Sequence, residues 1–333
     1  MNLRLPARRA VGQTPADVIY TEAQWRLLRY RSTEPAQHHT PLLLVPSLIN
    51  RHYVLDLLPD KSFAAWMVAQ GHDVYIIDWG RPRPEDRYLS FDDVCDRYLG
   101  HALRRTREAG LNGRWPHVLG YCLGGTLAAI HLSAHPERAS GFVALATPVA
   151  FNDDGLLTFW SRVRALDLEA LHAGLGNMPW PLMQAGFNLL RPTLPLVKLV
   201  GLAEKLVDPE GAEAVEGILA LETWGSDNVS FAGRCFKEYI QGLYRDDALM
   251  KGTFALSGRP ARLERLTAPL MAITFENDTI VPKCSSVPLL AAAGSADKTH
   301  VHLPGGHVGA VVSRKAATSL WPRISSWLGA RDA

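Results

Sequence analysis

HVLGYCLGGTLAAIHLSAH, residues 117–135, passes from a short apolar run into a longer apolar stretch through glycines set on either side of Cys122. HVLGY has the length of a buried strand and TLAAIHLSAH reads as helix, so Gly120-Tyr121-Cys122-Leu123-Gly124-Gly125 occupies a sharp strand-to-helix turn. A residue at the apex of such a turn is held in a strained backbone conformation, and its neighbours two positions away must lack side chains for strand and helix to pack closely. Gly120 and Gly124 meet that need. The pattern is the G-x-S-x-G nucleophile turn with cysteine in place of serine. A helix N-terminus offers a thiol free amides and the positive end of the helix dipole, which favour the thiolate, the nucleophilic form. A cysteine in a glycine-rich turn can also be a small apolar residue and nothing more, so the reading depends on partners elsewhere in the chain.

Outward from this turn, short apolar runs alternate with helical patterns: PLLLVP (41–46), DVYIID (73–78), HVLGY (117–121), FVALAT (142–147), LMAITF (270–275) and THVHLP (299–304). Such alternation is the signature of β-α-β units wound around a mostly parallel sheet. Ahead of them VIY (18–20) and WRLLRYR (25–31) read as an antiparallel hairpin. Ser90 is a good N-cap for a helix through DDVCDRYLGHALRRTREA (92–109), which Gly110 ends. From 151 to 250 the strand pattern lapses into a Leu-, Trp-, Pro- and Gly-rich stretch, as in LGNMPWPLMQAGFNLLRPTLPLVKLVGLAEKLV (175–207). The expected division is a core of residues 1–150 and 251–333 with a helical cap inserted at 151–250, over the active site. The other reading of 151–250 is a helical domain with no gating role.

Two loops at the C-terminal ends of late strands supply candidate partners for the thiol. After LMAITF comes Glu276-Asn277-Asp278-Thr279-Ile280-Val281-Pro282, and after VHLP comes Gly305-Gly306-His307-Val308-Gly309. Nucleophile, acid and histidine in this chain order, on one end of a parallel sheet, is the order of the α/β-hydrolase fold. The fold class is therefore α/β, with a mostly parallel sheet, helices on both faces and an inserted helical cap. His307 is expected to take the thiol proton or to pair with the thiolate, while Asp278 fixes the imidazole or activates an incoming hydroxyl. Glu276 is a rival acid, but alternation along an extended exit points it to the other side. The oxyanion hole is expected to use the Leu123 amide and an amide from the loop VPSLINRHY (45–53), at Ser47, Leu48 or Ile49, with Ile49 carried forward.

Composition removes other classes. The 333 residues are 47% apolar and carry 35 basic against 33 acidic residues, a net charge of +2, so no field recruits nucleic acid or an anionic membrane. Cys95, Cys122, Cys235 and Cys284 are too few and too far apart for a disulfide scaffold or a CxxC metal site, and a reducing cytosol is the expected setting. The first twenty residues contain no apolar signal core and no run of 18 apolar residues occurs, so neither export nor membrane spanning is expected. Of the 12 histidines, the eleven other than His307 show no metal-ligand spacing, and no metal or cofactor is expected.

On LLLVPSLINRHYVLDLLPDKSFAAWMVAQGHDVYIIDWGRP (42–82), GYCLGG (120–125), the loop around Asp278 and GGHVGAVV (305–312), the chain resembles the polyhydroxyalkanoate synthases, most closely the short class III catalytic subunits. The resemblance implies polymerisation of (R)-3-hydroxyacyl groups delivered as coenzyme A thioesters, with CoA released and the growing chain carried on Cys122. By it His307 activates the thiol and Asp278 helps deprotonate the attacking 3-hydroxyl. It also implies a second synthase subunit, a homodimer or hetero-oligomer, and a cytoplasmic location at the surface of polymer granules. The family often has histidine after the aspartate, where this chain has Thr279. Trp160, Trp180 and Trp224 read either as surface anchors for that subunit or the polymer, or as aromatic core. The competing functions are a cysteine-dependent esterase, thioesterase or depolymerase, and a non-catalytic granule-binding scaffold.

Overall fold

The computed structural model describes residues 10–153, 155–163, 166–190 and 212–332. Its centre is an eight-stranded sheet of β1 (Ala16–Glu22), β2 (Trp25–Tyr30), β3 (Leu42–Val45), β4 (Val74–Asp78), β5 (His117–Tyr121), β6 (Gly141–Leu145), β7 (Leu270–Phe275) and β8 (Lys298–Leu303). Their spatial order is β1-β2-β4-β3-β5-β6-β7-β8. β1 and β2 form the antiparallel hairpin, β2 meets β4 antiparallel, and every later pairing is parallel. The runs read from the sequence are these strands, shifted by one or two residues at their ends.

Strands β3 to β7 are buried along their whole length, as expected of a parallel sheet covered on both faces. Their alternate residues feed two cores. Leu43, Val45, Tyr75, Ile77 and Val118 join the core on one side, and Leu42, Leu44, Val74, Ile76 and Leu119 that on the other. Cys122, at the end of the central strand, packs against both.

Local chemistry sets the helix starts. Ser62 caps α1 (Phe63–Ala69) by accepting the Ala65 N–H at 2.9 Å. Ser90 Oγ accepts from the Asp93 N–H at 3.0 Å while the Asp93 carboxylate accepts the Ser90 N–H at 2.9 Å, a reciprocal cap. The chain then makes a π-helical turn, Asp93–Tyr98, before α2 (Leu99–Ala109), and Gly110 leaves the helix in an extended conformation. Helix α3 (Leu123–Ala134) is buried at all twelve positions, which explains why its sequence is apolar all round.

Between β6 and β7 the described residues form α4 (Leu156–Arg162), α5 (Leu168–Leu175), α6 (Trp180–Leu190), α7 (Ala212–Ser226) and α8 (Gly233–Tyr239), the last running into a π turn at Ile240–Arg245. Residues 191–211, which hold much of the stretch read at 175–207, lie outside the described residues. Trp160, Trp180 and Trp224 are half-buried, and Trp224 packs on the core and donates its indole N–H to the Arg51 carbonyl at 2.9 Å. The large apolar side chains that this region does expose include Phe159, Leu175, Leu182 and Leu189. No helix among the described residues is long and apolar enough to cross a membrane.

Candidate active site

Cys122 sits at the bend between β5 and α3 with φ 53° and ψ −128°, in the half of conformational space that non-glycine residues avoid. The bend is over-determined by hydrogen bonds: the Cys122 N–H donates to the Leu145 carbonyl at 3.0 Å, and its own carbonyl accepts from Gly125 at 2.9 Å and Thr126 at 3.3 Å. Each glycine has a steric reason. A Cβ on Gly120 would strike the backbone of Gly125, and one on Gly124 would strike the carbonyls of Val45 and Pro46 at the exit of β3. Gly124 thus serves the approach of α3 to the exit of the neighbouring strand β3. Gly125, which the motif does not require, is pressed against the Thr147 side chain after β6.

Asp278 and His307 come to the same place. Asp278 Oδ1 accepts the backbone N–H groups of Ile280 at 3.0 Å and Val281 at 2.8 Å, which fixes the carboxylate by a local turn. Its Oδ2 is 2.7 Å from His307 Nδ1, with the Asp278 side chain fully buried and that of His307 8% exposed. The two loops are joined by the Asn277 N–H donating to the Gly305 carbonyl at 2.9 Å. His307 also hydrogen-bonds the Cys122 side chain. Burial disfavours its imidazolium, but the adjacent Cys122 sulfur and the Asp278 carboxylate outweigh this and push the His307 pKa up to about 10. Glu276 stands exposed at the strand exit, whereas Asp278 is buried.

Other groups around the sulfur were not visible in the sequence. The Tyr121 ring lies against the His307 imidazole, and its hydroxyl donates to the His307 carbonyl at 3.1 Å. Tyr239 and Tyr244, at the end of α8 and in the π turn that follows, are hydrogen-bonded to each other and lie within the electrostatic field of Cys122. Nothing in the local sequence marks these two tyrosines, because their approach to Cys122 is a product of tertiary packing alone. The N–H of Leu123, first residue of α3, is one of those a helix start leaves without an intrahelical partner. Ile49 lies in the turn after β3, whose last residue, Val45, is in register with Gly120, and its carbonyl accepts the Val229 N–H at a long 3.5 Å.

Away from the thiol, Asp96, His131 and His135 form a cluster that the sequence reading did not anticipate, with potential ligand atoms within 4.8 Å of one another. Their polar atoms are already engaged. His131 Nδ1 donates to the Cys95 carbonyl at 2.8 Å, its Nε2 faces the Arg138 guanidinium at 3.3 Å, and His135 Nε2 is 2.9 Å from Asp96. Burial pushes the His131 pKa down to about 3, so the ring is neutral and the cluster ties the π turn before α2 to α3.

A strained cysteine at a strand-to-helix bend, with a histidine and an aspartate delivered by later loops of a parallel sheet, is the arrangement of the α/β-hydrolase fold. Residues 40–312 match that family, described as alpha/beta hydrolase fold. Among solved structures, a soluble variant of monoglyceride lipase from Saccharomyces cerevisiae superposes with a TM-score of 0.58 at 12% identity, covering 98% of this chain and all (100%) of that one. The monoacylglycerol lipase of Paleococcus ferrophilus gives 0.52 at 17% identity, covering 91% and 99%. At such identities the likeness speaks for the fold alone.

Sequence relatives narrow the class. Residues 5–67 match the family described as Poly-beta-hydroxybutyrate polymerase (PhaC) N-terminus. The poly(3-hydroxyalkanoate) polymerase subunit PhaC of Allochromatium vinosum is 34% identical over 96% of this chain and 90% of its own length. The subunit of the same name from Haloferax mediterranei is also 34% identical, over 97% of this chain, but the match spans only 65% of that longer protein. The chain belongs to the family of poly(3-hydroxyalkanoate) polymerase PhaC subunits.

Proposed function

We propose that this chain polymerises (R)-3-hydroxyacyl groups taken from coenzyme A thioesters, through an acyl enzyme on Cys122. The observation that carries the reading is the contact chain from Cys122 through His307 to Asp278 in a chain whose relatives are named as polymerase subunits. The sulfur attacks the thioester carbonyl, the negative oxygen is held by the Leu123 amide and an amide of the loop at Ser47 to Ile49, and the CoA thiolate leaves with the proton held by His307. Exchange of one thioester for another is nearly isoenergetic, so the acyl enzyme is neither a trap nor a barrier. A 3-hydroxyl then attacks this thioester, giving its proton to the His307–Asp278 pair as the ester forms and the sulfur is released. Coenzyme A is substrate here, and no step calls for a metal or other cofactor.

The segment 151–250 acts in this reading as a cap that keeps water from the acyl enzyme. A second synthase subunit, a homodimeric or hetero-oligomeric state and a cytoplasmic location at the polymer granule belong to the same proposal. Incubation with (R)-3-hydroxybutyryl-CoA, with and without co-expressed partner subunit, tests it. Polymer with CoA release is expected, and Cys122→Ala abolishes both. Free 3-hydroxy acid as the main product would instead make the protein a cysteine-dependent thioesterase or esterase.

A further inference from the structure

The loop that follows β3 must hold its amides steady for an oxyanion hole, yet it has no regular structure from Pro46 until a short 3-10 turn begins at His52. One flank is set by the packing of Gly124 against the Val45 and Pro46 carbonyls. The other flank is set by four residues at and beyond the end of α7. Trp224 Nε1–H donates to the Arg51 carbonyl at 2.9 Å, and the Val229 N–H reaches the Ile49 carbonyl at 3.5 Å. Asn50 Nδ2 donates to Asn228 Oδ1 at 2.7 Å, while Asn228 Nδ2 is itself engaged by Gln184 and the Gly225 carbonyl. Asp227 accepts the Tyr53 hydroxyl at 2.6 Å, lies 3.5 Å from the Arg51 guanidinium and pairs with Arg81.

We infer that Asp227, with Trp224 beside it, positions the loop 46–53 for oxyanion binding, so that the helical segment between β6 and β7 helps set the catalytic geometry. Seating the Ile49 and Arg51 carbonyls on residues 224–229 anchors the loop at and just beyond Ser47 to Ile49, the stretch that carries the oxyanion amide in the proposed mechanism. The Asp227 carboxylate is the charged centre of the arrangement. Without it the largely buried Arg51, whose side chain is 18% exposed, keeps the Asp78 carboxylate at 3.7 Å and the face of the Tyr53 ring. Small displacements of a preorganised donor are costly in rate, because its value depends on where the oxyanion forms.

This inference rests on the acyl-enzyme reading, and its test separates the two. Acylation is followed in the full chain with (R)-3-hydroxybutyryl-CoA and with a p-nitrophenyl ester, whose chemistry also needs an oxyanion hole. Alkylation of Cys122 by iodoacetamide forms no oxyanion and serves as the control. Asp227→Ala is expected to lower kcat on both acyl substrates by about ten- to a hundred-fold, with KM and the alkylation rate unchanged. Asp227→Asn, which can still accept from Tyr53, recovers part of the loss. Trp224→Phe, which deletes one donor and keeps most of the ring, shows the same pattern more weakly and decides the matter if Asp227→Ala does not fold. Acyl transfer at the parent rate in the folded Asp227→Ala protein, or an alkylation rate falling in step with it, overturns the inference. A parent protein inert to the CoA thioester but active on the p-nitrophenyl ester, with that activity sensitive to Asp227, would sink the substrate reading and leave the positioning role standing.

Discussion

The ring of Tyr121 lies nearly flat on the imidazole of His307, with ring centres 5.3 Å apart and planes inclined by 26°, while its hydroxyl donates to the His307 backbone carbonyl at 3.1 Å. The residue immediately before Cys122 therefore holds the histidine loop by ring and by backbone, and couples the end of β5 to the loop after β8. Burial raises the Tyr121 phenol pKa well above its ordinary value, so this donor keeps its proton across the working pH range.

Tyr121→Phe keeps the stack and removes the hydrogen bond, at a cost of about 1 kcal/mol in stability. Tyr121→Ala removes both and opens a cavity, costing about 3–5 kcal/mol. Urea unfolding of the two variants is expected to show this order, with acyl-transfer activity falling in the same order. If Tyr121→Ala left kcat at the parent value, the ring would have no part in holding His307.

The raised pKa of His307 sets a pH profile. Buried but paired with Cys122 and Asp278, the imidazole keeps its proton at neutral pH and loses it only as pH rises toward about 10. Below that point the imidazolium faces the sulfur, so iodoacetamide is expected to modify Cys122 faster at about pH 6–7 in the parent than in a variant that lacks the imidazole. In His307→Gln the alkylation rate at that pH is expected to fall. Cys284→Ser is the suitable background, since Cys284 is exposed whereas Cys95 and Cys235 are buried. Superimposable profiles with and without His307 would refute the pairing.

Asp278→Asn separates the two roles open to that carboxylate. The amide oxygen can still accept from Ile280 and Val281, so the loop is retained, but the charge beside His307 Nδ1 is gone. If Asp278 acts by orienting and charging His307, the first burst of CoA release slows by about 10²–10⁴-fold. If it acts on the incoming hydroxyl, the burst survives and only subsequent turnover fails. Rapid-mix measurement of CoA against single-turnover acyl-enzyme formation distinguishes the two, and parent-like turnover would exclude both.

What the sequence made legible follows from which forces are local. Strands β3 to β7 are covered on both faces, so each is an unbroken apolar run that no surface pattern interrupts. The bend at Cys122 was readable because backbones approach too closely at Gly120 and Gly124 for any side chain, a constraint that writes itself into residue type. The π turn at Asp93–Tyr98 left no such trace, since one widened turn barely alters an apolar period. Tyr239, Tyr244 and Asp227 leave no trace in the sequence for a different reason. Each meets the site through the packing of distant segments, and a tyrosine or aspartate in a helical stretch carries no local mark of what it will face. Trp224, which the sequence leaves between surface anchor and aromatic core, packs on the core and turns its indole N–H inward to a carbonyl of the β3 exit loop.

Acid sensitivity should be traceable to buried histidines, His117 among them. It opens β5 with both ring nitrogens lacking a hydrogen-bond partner among the described residues, and burial pushes its pKa down to about 4; His72 is likewise pushed down to about 3 by burial and by the neighbouring histidines. The unfolded chain binds a proton at each of these positions once pH falls below about 6.5, whereas the folded protein refuses it until the depressed pKa is reached. Stability from the neutral rings is therefore fully present above about pH 6.5 and is lost progressively as pH falls toward 4, by on the order of 2 kcal/mol at pH 5 for His117. His117→Leu removes the titrating group and two unpaired nitrogens at similar volume, so its urea midpoint is expected to exceed the parent's by more at pH 5 than at pH 7. An equal pH 7-to-5 drop in parent and variant would show that the acid sensitivity arises elsewhere in the fold.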